Sequence, residues 1–199
     1  MTISILHKDD FNVDKTGKIY FTYSDLLKLP EWPNSPQIEL FNGELFISPS
    51  PTIYHQVVSD NLLYQIKHFL NANPIGKVYS APVDVVFSEK YVIIPDLTFI
   101  LKSNLEIVKG KNIEGTPDLL IEILSSNREN DEIRKYQLYE QNKVKEYWIV
   151  YPDEKLIKLY LFDENSGNYT EGNIFTIDDE ITSSILQGFK IPVKLVFET

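Results

Sequence analysis

The chain has 199 residues, 43% hydrophobic and 24% charged, and its 19 Lys and Arg against 29 Asp and Glu give a net charge of −10. This is globular composition with enough length for one well-cored domain, which excludes a disordered chain. The absence of cysteine excludes disulfides, thiolate zinc sites and cysteine nucleophiles.

No apolar run approaches the ~18 residues needed to span a bilayer, and the start, MTISILHKDDFN, lacks a signal-peptide profile. A cytoplasmic protein without membrane contact is expected. The acidic surface repels nucleic acid at long range, so a nucleic-acid role requires a local basic groove or a metal. Only two arginines occur, Arg128 and Arg134, which argues against extensive guanidinium reading of guanine edges.

In chain order, residues 1–20 read as an irregular polar arm and 21–199 as a single domain. The stretch 22–32 predicts a short helix with Thr22 or Ser24 as its N-cap. Residues 36–51 predict a hairpin, two apolar runs joined by Asn42-Gly43, the dipeptide favoured in type I′ turns. From Thr52 to Asn71, Val58, Leu62, Ile66 and Phe69 recur at helical spacing and predict an amphipathic helix. Strands are predicted over 77–87 and 92–101, joined by a short SEKY loop, followed by a basic, polar loop over 102–116.

The stretch TPDLLIEILSSN, residues 116–127, predicts a buried strand. Alternation sets Asp118, Leu120, Glu122 and Leu124 on one face and Leu119, Ile121 and Ile123 on the other. A polar helix follows over about 127–142, then KEYWIVYP and KLIKLYLF paired around DEK. The tail holds NYTEGNIFTI, a helix-like SSILQ and FKIPVKLVF. The order implies an α/β domain with a central mixed β-sheet flanked by helices.

Three residues near the centre of this order carry chemistry. Asp96 opens a strand directly after Pro95, where the backbone is already restricted. Glu122 interrupts an apolar run, and an unpaired charge there is costly. Lys135 lies 13 residues further on, in a helix that must pack back on the sheet. Two carboxylates from neighbouring strands plus a cation suit metal-assisted phosphodiester hydrolysis. Carboxylate oxygens, waters and a phosphate oxygen suit Mg²⁺, and a lysine steadies developing negative charge.

The segments PD at 95–96, PDLLIEILS at 117–125, RKYQLYEQNKVKEYWIVYP at 134–152 and the upstream IELFNGELFISPSPTIYH together resemble the restriction endonuclease-like family common in cyanobacteria, within the PD-(D/E)XK nuclease superfamily. The resemblance extends from about residue 22 to about 197. It implies a restriction-endonuclease-like fold, dependence on Mg²⁺ with Mn²⁺ as a substitute, and DNA as substrate. It also implies a homodimer, since many members of the superfamily cut duplexes as two-fold dimers.

By the same resemblance, Asp96 and Glu122 are metal ligands with the Ile123 carbonyl as a further oxygen. The superfamily's usual lysine position, two after the glutamate, is here Leu124, which makes Lys135 the match. Tyr139, one turn on, lines the same site, and Glu39 matches an acidic residue found early in such folds. His55 and Asp84 also match family positions, as secondary candidates.

Each residue has a plainer reading. Asp96 could cap free strand-end amides. Glu122 could be neutralised or face a wet side of the sheet, and Lys135 could pair with Asp131 on a helix surface. Leu138 and Tyr139 at i+3 and i+4 argue that the Lys135 face packs inward. The lysines at 102, 109 and 111 read as a solvated loop that could also reach phosphates. Three histidines with no close pair disfavour zinc, and no Walker, Rossmann or G-x-S-x-G pattern occurs. The leading expectation is a Mg²⁺-dependent DNA endonuclease. The alternative is a nuclease-fold binding or regulatory module with little catalysis, and a two-carboxylate glycosidase has no further support.

Overall fold

The computed structural model describes residues 12–13, 15–29, 37–125 and 129–199, with side chains of 129–131 outside the description. In chain order the elements are β1 (Asn12–Val13), β2 (Ile19–Tyr20), α1 (Tyr23–Leu26), β3 (Gln37–Phe41), β4 (Glu44–Ser48), α2 (Ile53–Ala72), β5 (Gly76–Ser80) and β6 (Val85–Ser88). Then come β7 (Tyr91–Ile93), β8 (Leu97–Leu101), a 3₁₀ turn over Lys102–Ile107, β9 (Ile113–Glu114), β10 (Leu119–Ile123) and α3 (Glu129–Gln141). The chain closes with β11 (Glu146–Tyr151), β12 (Leu156–Asp163), β13 (Asn168–Tyr169), β14 (Asn173–Thr176), β15 (Glu180–Thr182), β16 (Lys190–Pro192) and α4 (Lys194–Phe197).

Among the described residues, seven strands form the main sheet, in the order β13-β12-β11-β10-β8-β5 with β14 also on β12. A five-stranded sheet, β4-β3-β7-β6-β9, stands beside it. The main sheet is mixed: β10 runs parallel to β11 and antiparallel to β8. Helices α2 and α3 pack against its two faces, and the fold is mixed α/β. No helix among the described residues is long and apolar enough to cross a membrane.

The strand parity of β10 decides what each helix meets. Leu119, Ile121 and Ile123 join Val58, Leu62 and Ile66 of α2 in one core, together with Leu97 and Phe99 of β8. Leu120 joins Leu138 and Tyr139 of α3 and Tyr147 and Ile149 of β11 in the other. Each face buries aliphatic and aromatic side chains at about 25 cal/mol per Å² of apolar surface, which is what fixes both helices on the sheet. Thr52 caps α2 by accepting the His55 backbone N–H at 3.1 Å. At α1, Thr22 is the N-cap and forms a capping box with Asp25.

Two expected strands are each divided. Residues 77–87 separate into β5 and β6, and 92–101 into β7 and β8, with one half of each in either sheet. The breaks carry Pro82 and Pro95, which have no N–H for a ladder and resist a place in a central strand. The long hairpin therefore bends from one sheet into the other, with Ala81 donating to the Asp96 carbonyl at 3.0 Å across the bend. Asp96 sits at this seam.

Two further expectations are corrected. SSILQ is not helical: the carboxylate of Glu146 accepts the backbone N–H of Ser184 at 2.8 Å and of Ile185 at 3.2 Å, drawing the segment into bends. The loop over 102–116 is ordered as the 3₁₀ turn and β9, which pairs parallel to β6. It follows the C-terminal end of β8, whereas Asp96 precedes the N-terminal end, so Lys102, Lys109 and Lys111 are absent from the Asp96 cleft.

Candidate functional site

A cleft of about 570 Å³ opens where the two sheets diverge, bounded by β3, β4, the start of α2, the bend around Pro82 and Asp96, the end of β10, and α3. Glu122 projects from β10 on the α3 face, as the alternation predicts. Lys135 faces it from α3, 9% exposed, with its Nζ 2.9 Å from Glu122 Oε2. Tyr139, one helical turn beyond Lys135, donates to Glu122 Oε1 at 2.5 Å. Both oxygens of the buried carboxylate are thus engaged, which answers the cost of placing it there.

Glu39 enters from β3 in the second sheet. Its Oε1 accepts the Ile94 N–H at 2.8 Å and lies 3.2 Å from Lys135 Nζ. Lys135 therefore joins two carboxylates that belong to different sheets. The Asp131 side chain, the alternative surface partner, lies outside the described residues.

Asp96 faces the end of β10, where its Oδ2 accepts the Ile123 N–H at 2.7 Å. His55, in the first turn of α2, places Nε2 3.0 Å from the Ile123 carbonyl oxygen and 3.3 Å from Asp96 Oδ1. Both partners are acceptors, so Nε2 carries the proton. Its Nδ1 is buried without a hydrogen-bond partner among the described residues. Capping by Thr52 and burial under β10 hold this ring in place.

The electrostatics follow from burial in a shared acidic setting. Burial pushes Glu122 up to about 8 against the opposing pull of Lys135, with Asp96 and Glu39 adding to the rise. Burial alone would lower Lys135, but the Glu122 and Glu39 carboxylates outweigh it and hold the ammonium protonated above its ordinary range. Burial likewise pulls His55 down, yet the Asp96 hydrogen bond and charge leave it raised overall. Burial raises Tyr139 well above its ordinary value, so it stays a neutral donor.

The structure thus brings together Glu39, His55, Asp96, Glu122, Lys135, Tyr139 and the Ile123 carbonyl. Asp84 stands apart: its carbonyl accepts the Ile113 N–H at 2.9 Å in the second sheet, burial raises its carboxyl, and its charge bears on Tyr23. The sequence reading missed Glu132, Arg134 and Tyr147, which also border the cleft. The helical offset of Glu132 from Lys135, three residues, was the available signal for the first. Nothing in the sequence marked Tyr147 apart from its neighbours in an apolar strand.

Among the described residues no three His, Asp or Glu side chains form a ready-made metal cage. The available donors are the Asp96 and Glu122 carboxylates and the Ile123 carbonyl, with His55 Nε2 between two of them. Hard oxygens in this number fit Mg²⁺, which binds through one or two carboxylates and retains waters.

The model of the "Putative restriction endonuclease" family, Uma2, matches residues 23–194. The fold is similar to the crystal structure of a putative nuclease belonging to DUF820 from Anabaena variabilis ATCC 29413, with a TM-score of 0.72 and 21% identity over 88% of this chain and 97% of that chain. That likeness establishes a shared, restriction-endonuclease-like fold. No match is found among curated proteins. On the span of the family match, the chain belongs to the putative restriction endonuclease family.

Proposed function

We propose that the protein is a Mg²⁺-dependent endonuclease that hydrolyses DNA phosphodiester bonds, accepts Mn²⁺ as a substitute, and works in the cytoplasm as a homodimer. The observation that carries this reading is the placement of Lys135 Nζ 2.9 Å from Glu122, in the cleft that also holds Asp96. Asp96, Glu122 and the Ile123 carbonyl would hold the cation. When bound, it supplies Lewis-acid polarisation of a phosphoryl oxygen and a water of lowered pKa.

The protein's own groups do the remaining work. Lys135, kept protonated by Glu122 and Glu39, presents N–H and positive charge to the negative charge that develops on the phosphoryl group. This favours a stabilising role over that of a proton acceptor. Glu39 orients the ammonium, Tyr139 fixes the Glu122 carboxylate, and His55 holds Asp96 Oδ1 beside the Ile123 carbonyl.

A second reading, a nuclease-fold binding module with little catalysis, draws on the charge of the cleft. Glu39, Asp96, Glu122 and Glu132 line it against the fixed cations Arg134 and Lys135, and such a surface disfavours phosphate until a divalent cation offsets it. Plasmid DNA incubated with Mg²⁺ or Mn²⁺ separates the two. The nuclease reading expects nicking or linearisation that Glu122→Gln and Lys135→Ala abolish. Equal cleavage by all three proteins refutes the residue roles, and absence of metal binding by the parent protein refutes the metal-dependent nuclease.

A further inference from the structure

Beside the cleft lies a second, smaller concavity of about 300 Å³, formed by the β3–β4 hairpin against the outer side of α3. Arg134 and Phe46 border both spaces, so the two meet at a shared ridge. The Arg134 guanidinium lies over the Phe46 ring, 4.2 Å from its centroid, and 5.4 Å from that of Phe41. Phe41 and Phe46 are themselves in edge-to-face contact at 5.4 Å. The arginine is therefore held over an aromatic support, adjacent in sequence to Lys135.

The lining of this concavity combines two chemistries. Phe41, Phe46 and Tyr91 contribute aromatic surface, while Asn42, Gln137 and Gln141 contribute exposed side-chain amides. Amides offer a donor and an acceptor in one plane, the complement of a base edge, and aromatic rings offer a stacking surface that accepts any base. Glu44 at the margin, ion-paired with Lys18, can accept from an exocyclic amino group but repels a phosphate. The anion would thus stay at Arg134, on the ridge, and the base beyond it.

We propose that this concavity is a nucleobase subsite that takes the base of an unpaired nucleotide adjoining the scissile phosphate, with Arg134 gripping the intervening phosphate. The inference rests on the nuclease reading and extends it to a substrate class. A base seated between Phe46 and the amides has left the helical stack, so the preferred ligand is a single strand, loop or flap rather than an intact duplex.

The test is fluorescence anisotropy of the full chain in EDTA with end-labelled 12-mers of single-stranded DNA, single-stranded RNA, matched duplex and a fully abasic sugar–phosphate strand. Tighter binding of either single strand than of the duplex and the abasic strand supports the subsite, and the DNA to RNA ratio identifies the sugar it accepts. Phe46→Leu, and Gln137→Ala combined with Gln141→Ala at exposed positions, should each weaken single-strand binding about tenfold. The Gln137→Ala/Gln141→Ala variant should leave binding of the abasic strand unchanged, a selectivity that a general folding defect would not produce. Phe46→Leu, which removes the support of Arg134, should weaken that binding as well. Parent-like single-strand binding by both variants overturns the subsite while leaving any metal-dependent cleavage by the parent intact. Absence of both binding and cleavage in the parent overturns the nuclease reading and the subsite with it.

Discussion

Asp96 and Ile123 are joined across the seam between the two sheets, with Asp96 Oδ2 accepting the Ile123 N–H at 2.7 Å. One carboxylate thus caps the end of β10 and turns its second oxygen to His55, 3.3 Å from Nε2. Asp96→Asn keeps an acceptor for that N–H, whereas Asp96→Ala leaves the donor unmet at a cost of about 1–3 kcal/mol. Chemical denaturation should place Asn between the parent and Ala, because its amide NH2 replaces the oxygen that accepts from His55 Nε2. Calorimetric titration with Mn²⁺ should show both variants losing metal affinity.

The Lys135–Glu122 pair makes a different prediction, because both side chains are buried. Lys135→Ala leaves Glu122 with its Tyr139 contact but without its cation, and breaking a buried pair costs about 3–5 kcal/mol. Lys135→Met with Glu122→Gln removes both of these charges and should recover part of that loss while remaining inactive, the remainder reflecting Glu39, which still loses its cation. A double-mutant cycle on denaturant unfolding measures the coupling. Additive single effects would contradict a paired, buried constellation.

Much of this arrangement could be read from the sequence, for identifiable reasons. The period of two along 119–124 separates Leu120 and Glu122 from Leu119, Ile121 and Ile123, and the spacing of Lys135, Leu138 and Tyr139 assigns all three to one helix face. Those are local periodicities, and tertiary packing preserved them. The division of 77–87 and 92–101 between two sheets was not visible, because a proline marks a break without naming the strand that pairs on either side of it. SSILQ likewise shows helical spacing, but its amides are claimed by Glu146, 38 residues earlier. Arg134 stood out only by rarity, since its support by Phe46 depends on how the β3–β4 hairpin meets α3.

The metal-free protein should lose stability as pH rises. Glu122 is raised to about 8 in the folded chain, so the folded state binds its proton more tightly than the unfolded state does. Its contribution is complete below the ordinary carboxylate value and disappears as pH climbs through about 8. His55 is also raised, so its contribution falls in the same direction above its ordinary range. Thermal unfolding in EDTA should give a midpoint that declines from pH 5 to pH 9. Glu122→Gln should flatten most of that slope, leaving the smaller share of His55, and an unchanged slope would remove Glu122 as its source.

Divalent cations should reverse that loss, because a ligand bound only by the folded state stabilises it by RT ln(1 + [L]/Kd). At 100 times Kd this amounts to about 2.7 kcal/mol, enough to move the midpoint of a chain this size by several degrees. The rise should be largest near pH 8, where proton competition for Glu122 has weakened, and small near pH 5. Asp96→Asn and Glu122→Gln should abolish the Mn²⁺-induced rise, since each removes one of the two carboxylates assigned to the cation. Asp84→Asn should keep the full rise, because Asp84 lies just before β6, where its charge bears on Tyr23, and outside the cleft. Loss of the rise in Asp84→Asn alone would move the cation to the second sheet and separate it from Lys135.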